Sequence, residues 1–448
     1  MTKTTNEGTS SVDAKLNHVQ STGFPEKPKE REARKPRIKQ ARYAMLMGYQ
    51  GKQYYGMQLQ KDLPTIESKL LDALLAAGWI TEALRAKPFD FFFQRAARTD
   101  RSVSAARQMV GMQLPRDDAL YQAEGAAILN NLLPPDIRVF GMRRTTNWFH
   151  PQKQCDFRTY SYTCPTFVFA KPNELTNASF RITPETIAEV NDILSIYKGT
   201  HNFFNYTAKR AYDDMSCNRY IVSFEAGKPF LFKDSLRNED VEFIQMTVKG
   251  QSFVLHQIRK MVGMVITVVR ELQLKSAIQK SFEGQRMDVP MAPGLGLLLE
   301  RTHYDNYDRK NGQSHDPISD WGMVIEEQVE KTKFELITTD TLETELRSQG
   351  MLKWLADLVL HDFQADAEQE EPASKSFLTM AKACAVAAEK AASEGEGSSE
   401  VKVEAAPEDV APTVEAPEDA APKTEAPKVE APEVAPEPIA IKAENQAI

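Results

Sequence analysis

VEFIQMTVKGQSFVLHQIRKMVGMVITVVREL, residues 241–272, changes its periodicity partway along. Its first ten residues alternate, with Ile244, Met246 and Val248 on one face, as a half-buried strand requires. From His256 onward the apolar positions take helical spacing, and Ile258, Met261, Val262, Val265, Val269 and Leu272 form one stripe. A strand followed by a helix that packs on a sheet is the expected result. The same alternation of elements runs along the chain on either side. RYAMLMGYQG (42–51) reads as another half-buried strand, while TIESKLLDALLAAG (65–78) and ALYQAEGAAILNNLL (119–133) read as helices that stop at Gly78 and Pro134. A second series of strands and helices starts near Trp148, and the two halves are similar in size, so a boundary is expected close to residue 150.

The 448 residues are 42% hydrophobic, enough to build two cores. The longest apolar run, MVGMVITVV at 261–269, is about half of what a membrane span needs, so no membrane partner is expected. The chain reads as soluble and not secreted. Cys155, Cys164, Cys217 and Cys384 are scattered without metal-ligand spacing, which predicts reduced thiols and no metal site. No internal repeat is visible outside the tail.

The net charge of −8 is concentrated at one end. From Glu394 to Ile448 there are fourteen acidic residues against four lysines, in proline-rich units such as VEAPEDAAPKTEAP, so the rest of the chain is mildly basic. Frequent proline and few large apolar side chains predict a disordered acidic tail. An Ala-rich stretch at 374–393 ahead of it is helix-prone. At the other end, KPKEREARKPRIKQAR (27–42) sets eight Lys or Arg against two Glu, which suits a flexible arm that touches phosphate or an import receptor. Glu7 and Asp13 make the first 26 residues a poor mitochondrial transit peptide, so a nuclear address is expected. The expected organisation is a basic arm at 1–41, domains at 42–150 and 151–365, and the Ala-rich helix and acidic tail at 366–448.

FQRAARTDRSVSAARQ, residues 93–108, sets Asp100 among four arginines. Two readings compete. Thr99 and Asp100 make a good N-cap for a helix over the small residues that follow. Alternatively, Asp100 is a catalytic carboxylate held ionised by nearby guanidinium groups. Taken alone, the N-cap is the ordinary outcome. The same holds elsewhere: Tyr160 has the look of a strand tyrosine half in a core, Arg259 and Lys260 that of the solvated face of an amphipathic helix, and Phe203 and Phe204 are core candidates.

A set of separate stretches changes the balance. YQGKQYYGMQLQ (49–60), ARTDRSVSA (97–105), CDFRTYSYTCP (155–165), KGTHNFFNYT (198–207) and KGQSFVLHQIRKMVG (249–263) resemble, in order and spacing, the TruA family of tRNA pseudouridine synthases, with the closest fit to its eukaryotic nuclear and mitochondrial branch. The resemblance covers roughly residues 42–300, more weakly to about 363, and neither tail.

The resemblance implies an α+β fold: two α/β domains with mostly antiparallel sheets and helices on one face, meeting in a basic cleft where RNA lies. It implies isomerisation of uridine in tRNA, with other structured RNAs as further candidates, and no cofactor. The family's catalytic aspartate falls on Asp100, its active-site tyrosine on Tyr160 and the arginine paired with the aspartate on Arg259. Arg98 and Arg101 would contact the RNA backbone, with Arg158, Arg219 and Lys260 as further substrate-binding residues and Arg95 and Arg107 lining the cleft. One departure stands out: the family usually has glycine two residues after the aspartate, and this chain has Ser102, so an unusual backbone is expected there. The rival readings are a structured-RNA binding protein or folding chaperone, which would need no Asp, Tyr and Arg set, and a nucleoside hydrolase, which would need a second acid or a metal cluster.

Overall fold

The structure is a computed structural model that describes residues 38–363. The basic arm before residue 38, with its nuclear address, and the Ala-rich and acidic segments from 366 onward lie outside the described residues. The N-terminal part of the described chain runs β1 (Gln40–Tyr49), α1 (Ile66–Ala76), α2 (Glu82–Ala86), β2 (Gln94–Arg95), β3 (Ser104–Pro115), α3 (Asp118–Ala123), α4 (Gly125–Leu132) and β4 (Ile137–Thr145). It continues through β5 (Phe157–Pro165), α5 (Pro184–Ser195), β6 (Gly199–Asn202), β7 (Asn218–Ala226), β8 (Phe230–Asp234) and β9 (Glu239–Gly250). The last part holds α6 (Gln257–Val269), α7 (Ser276–Lys280), β10 (Leu297–His303), α8 (Asp305–Asn311), α9 (Met323–Thr332), α10 (Thr339–Ser348) and α11 (Gly350–Leu358).

The strands form one mixed α/β architecture around a ten-stranded sheet in the order β4-β1-β3-β10-β5-β9-β7-β6, with β2 on β3 and β8 on β9. Every pairing is antiparallel except that of β3 with β10. β10 sets the geometry of the site. Leu299 pairs with Ala105 of β3 on one side and with Tyr160 of β5 on the other, so the loop that enters β3 and the middle of β5 become neighbours.

Period two in β1 sends Tyr43, Met45, Met47 and Tyr49 into the main core and Ala44 and Leu46 into a second, smaller one on the opposite face. That second core contains Tyr304, Tyr307, Trp321 and Val329, from α8, α9 and the segments beside them. The sequence reading put helices on one face; here both faces of this part of the sheet are covered, because both residue sets of β1 are apolar.

α1 starts at Thr65, whose hydroxyl accepts from Ser68 N in a reciprocal capping box. The single helix expected at 119–133 is two, α3 and α4, broken at Glu124 beside Gly125, a weak helix residue. α6 is more deeply placed than an amphipathic helix: the stripe from Ile258 to Val269 is buried, as are Met264, Ile266 and Val268 beside it. Arg259 is the one residue of α6 that is not buried. The solvated face expected for Arg259 and Lys260 is therefore absent, and Lys260 is only 3% exposed.

Candidate active site

The stretch after Asp100 is a turn and then strand β3, not a helix, so the N-cap reading falls away. Pairing with β1, β2 and β10 outweighs whatever helical preference those small residues have. Asp100 instead sits in a loop cradled by the 49–57 segment. Met57 N donates to Thr99 O at 3.1 Å and Ser102 N to Tyr54 O at 3.1 Å. Gly51 N donates to Ser104 Oγ at 2.9 Å, and the hydroxyls of Tyr49 and Thr99 lie 2.8 Å apart. From below, Gln108 clamps Ala97, accepting from its N–H at 3.1 Å and donating to its carbonyl at 2.9 Å.

Two glycines make the cradle possible. A β-carbon on Gly51 would stand 2.2 Å from Val103 O, and Gly56 has φ +89 with Thr99 O 2.7 Å from its β-carbon position. This is why YQGKQYYG and ARTDRSV occur in one chain. Within the loop, Ser102 has φ +63, the left-handed backbone expected where the family carries glycine.

Asp100, Tyr160 and Arg259 line one cleft of about 570 Å³ together with Arg98, Arg158 and Arg219. Tyr160 is buried and meets Phe253 edge-on at 5.3 Å. Burial, before any charge, raises its pKa well above the ordinary tyrosine value, so its hydroxyl keeps its proton. Arg259 enters from the first turn of α6, and its Nε donates to Ala292 O at 2.7 Å. Burial also raises the Asp100 carboxyl, against the opposing pull first of His256 and then of Arg259. Arg98 and Arg101, expected to contact the RNA backbone, are not among these charges. Among the described residues no ion pair within 4 Å joins Asp100 to Arg259, so the two charges face a shared space.

The remaining basic residues divide. Arg158 donates to Gln251 O at 2.7 Å, Ala96 O at 3.0 Å and Gln152 O at 3.1 Å, tying three segments of the cleft wall together. Arg219 has its Nε buried without a hydrogen-bond partner. Arg101 lies outside the cleft, its guanidinium 4.6 Å from the Tyr55 ring. Lys260 does not line the cleft, and its Nζ lies 3.9 Å from Asp288. Arg95 pairs with Glu67, and Arg107 with Glu326. Sequence reasoning missed His256, Phe253 and Gln152, all of which line the cleft. His256 precedes α6 with φ +66, and a left-handed, non-glycine residue at a pocket is a mark that only the folded backbone displays.

A family model described as tRNA pseudouridine synthase matches residues 193–305. The chain is 40% identical over 329 residues to the human Pseudouridylate synthase 1 homolog, covering 72% of this chain and 74% of that one. It is 38% identical over 337 residues to the mouse Pseudouridylate synthase 1 homolog, covering 74% and 77%. To tRNA pseudouridine synthase 1 of Yarrowia lipolytica it is 30% identical over 361 residues, covering 62% and 66%. With identity at this level over most of both chains, and with the matched motifs folded around one cleft, this chain belongs to the tRNA pseudouridine synthase family.

Proposed function

We propose that this chain converts uridine to pseudouridine in tRNA and that the cleft holding Asp100, Tyr160 and Arg259 is where it does so. The observation that carries the reading is the convergence of these three residues, from a loop, a strand and a helix far apart in sequence, on one cavity. Its volume of about 570 Å³ suits a single extruded nucleoside.

The reaction breaks the C1′–N1 bond, turns the uracil and joins C1′ to C5; C5 loses a proton and N1 gains one, with no net redox change. Asp100 is the group that acts at the sugar, either by attacking C1′ or by taking the C2′ proton as the base departs and returning it when C1′ is joined to C5. Its partial burial favours such a role, since a poorly solvated carboxylate reacts or accepts a proton more readily than a hydrated one. Tyr160, whose hydroxyl stays protonated, offers a donor and an aromatic face to the turned base. Arg259 is anchored by Ala292 O and supplies the positive charge that keeps the Asp100 anion accessible.

Tritium release from C5-labelled uridine in a tRNA transcript tests the reading. The wild-type chain should release tritium, and Asp100→Asn, which keeps size but removes charge and nucleophilicity, should lose the activity by several orders of magnitude. A folded Asp100→Asn chain that turns over like the wild type would overturn the assignment.

A further inference from the structure

Trp148 is 88% exposed, and its surroundings argue against an incidental surface residue. It lies in the 146–156 loop, which is fixed from below. Thr146 N donates to Tyr307 OH at 2.9 Å, Phe149 is buried against Tyr304 and Tyr307, and Tyr304 OH donates to Pro151 O at 2.8 Å. The indole is thus held outward by a rigid base, the arrangement that presents an aromatic face at low entropic cost.

A second observation is the company it keeps. Arg42 donates to Phe149 O, next to Trp148, at 3.4 Å and lays its guanidinium 3.8 Å from the ring centre of Phe92. Phe92 is itself 47% exposed and held at φ +56. Burial is the largest cause that lowers the His150 pKa, and Lys153 and Arg42 are both near enough to lower it further. Aromatic faces interleaved with cations are the surface on which nucleobases stack and phosphates are neutralised.

The third observation is position. Gln152 lines the cleft and Arg158 grips its carbonyl. Gln152 is only four positions along the chain from Trp148, a span of at most about 14 Å.

The geometry points to Trp148, with Phe92 and Arg42 beside it, as a stacking platform for bases of the RNA a few nucleotides from the uridine that enters the cleft. This rests on RNA being the substrate, as proposed above. The platform contributes affinity and register and takes no part in bond making.

The test uses the full chain with a tRNA transcript. Trp148→Ala should weaken binding roughly 5- to 100-fold, the range for loss of one stacked base. The loss should appear in KM far more than in kcat. The slope of log affinity against log salt should not change, because no cation has been removed. Trp148→Phe should restore most of the affinity. The emission of Trp148 is the difference between wild type and Trp148→Phe, which keeps Trp79, Trp321 and Trp354; that difference should be quenched by RNA and become shielded from acrylamide. Binding of Trp148→Ala within twofold of wild type, a difference emission that RNA leaves unchanged, or a difference emission already shielded from acrylamide before RNA is added would each overturn the inference, the last by showing that the chain itself covers Trp148. A wild-type chain that shows the stacking signals yet forms no pseudouridine would sink the catalytic reading and leave the platform standing.

Discussion

The α-carbon of Gly51 lies so close to the main chain of Val103 that a β-carbon there would be 2.2 Å from the Val103 carbonyl oxygen. No rotamer relieves that contact, because both sides are backbone. The loop carrying Asp100 is therefore pressed against a surface that must lack a side chain.

Gly51→Ala should displace the Asp100 loop. Destabilisation of about 1–3 kcal/mol is expected from the overpacking, read as a lower melting temperature, with a larger proportional fall in kcat. Gly227→Ala, where the nearest atom would be 3.4 Å away, is the control and should be mild. A Gly51→Ala chain that melts and turns over normally would show that the loop is free to move.

Ser102 occupies the left-handed region at φ +63. Ser102→Gly relieves strain in the folded state but loosens the unfolded chain, two effects that oppose each other at about 1 kcal/mol or less. Unchanged or slightly raised stability with full activity is expected. Ser102→Val should be clearly worse on both measures, since a β-branched residue is poorly tolerated at positive φ. Equal melting temperatures for the glycine and valine variants would contradict the backbone assignment.

Asp100 has its pKa raised by burial, so its ionised form is the less comfortable one in the folded protein. A raised folded-state value means that its contribution to stability is fully present below the unfolded value of about 3.9 and is lost as pH rises through the folded value. Asp100→Asn should therefore melt at the same temperature as wild type or higher at neutral pH, with the difference closing in acid. Calorimetry from pH 3.5 to 8 checks this. An asparagine variant that is less stable at neutral pH would mean that the carboxylate is held by favourable partners.

Arg259→Gln removes a charge that lowers the Asp100 pKa. If the carboxylate must be ionised, the acidic limb of kcat/KM should move to higher pH. Arg259→Lys keeps the charge, so the limb should stay near its wild-type position. Its rate should nevertheless fall by at least tenfold, because lysine cannot reproduce the Nε donation to Ala292 O. Single-turnover rates across the pH range separate the two effects. An Arg259→Gln profile with an unmoved acidic limb would break the link between the two residues.

The sequence by itself determined what local periodicity encodes. The alternation at 42–51 and 241–250 became β1 and β9, the capped run at 65–78 became α1, and the stripe from Ile258 became α6, because side-chain spacing within a dozen residues decides which face meets a core. Motif order also named the family. Tertiary structure alone decided the rest. SAARQ, residues 104–108, became a strand because β1 and β10, distant in sequence, pair with β3 on both sides. Arg95 and Arg107 were drawn to Glu67 and Glu326, Lys260 was taken inward toward Asp288, and His256 was brought to the cleft that Asp100 lines. The physical reason is common to these cases. The fate of a charged side chain depends on the burial and the partners supplied by segments tens to hundreds of residues away, and neither is written into the spacing of its neighbours.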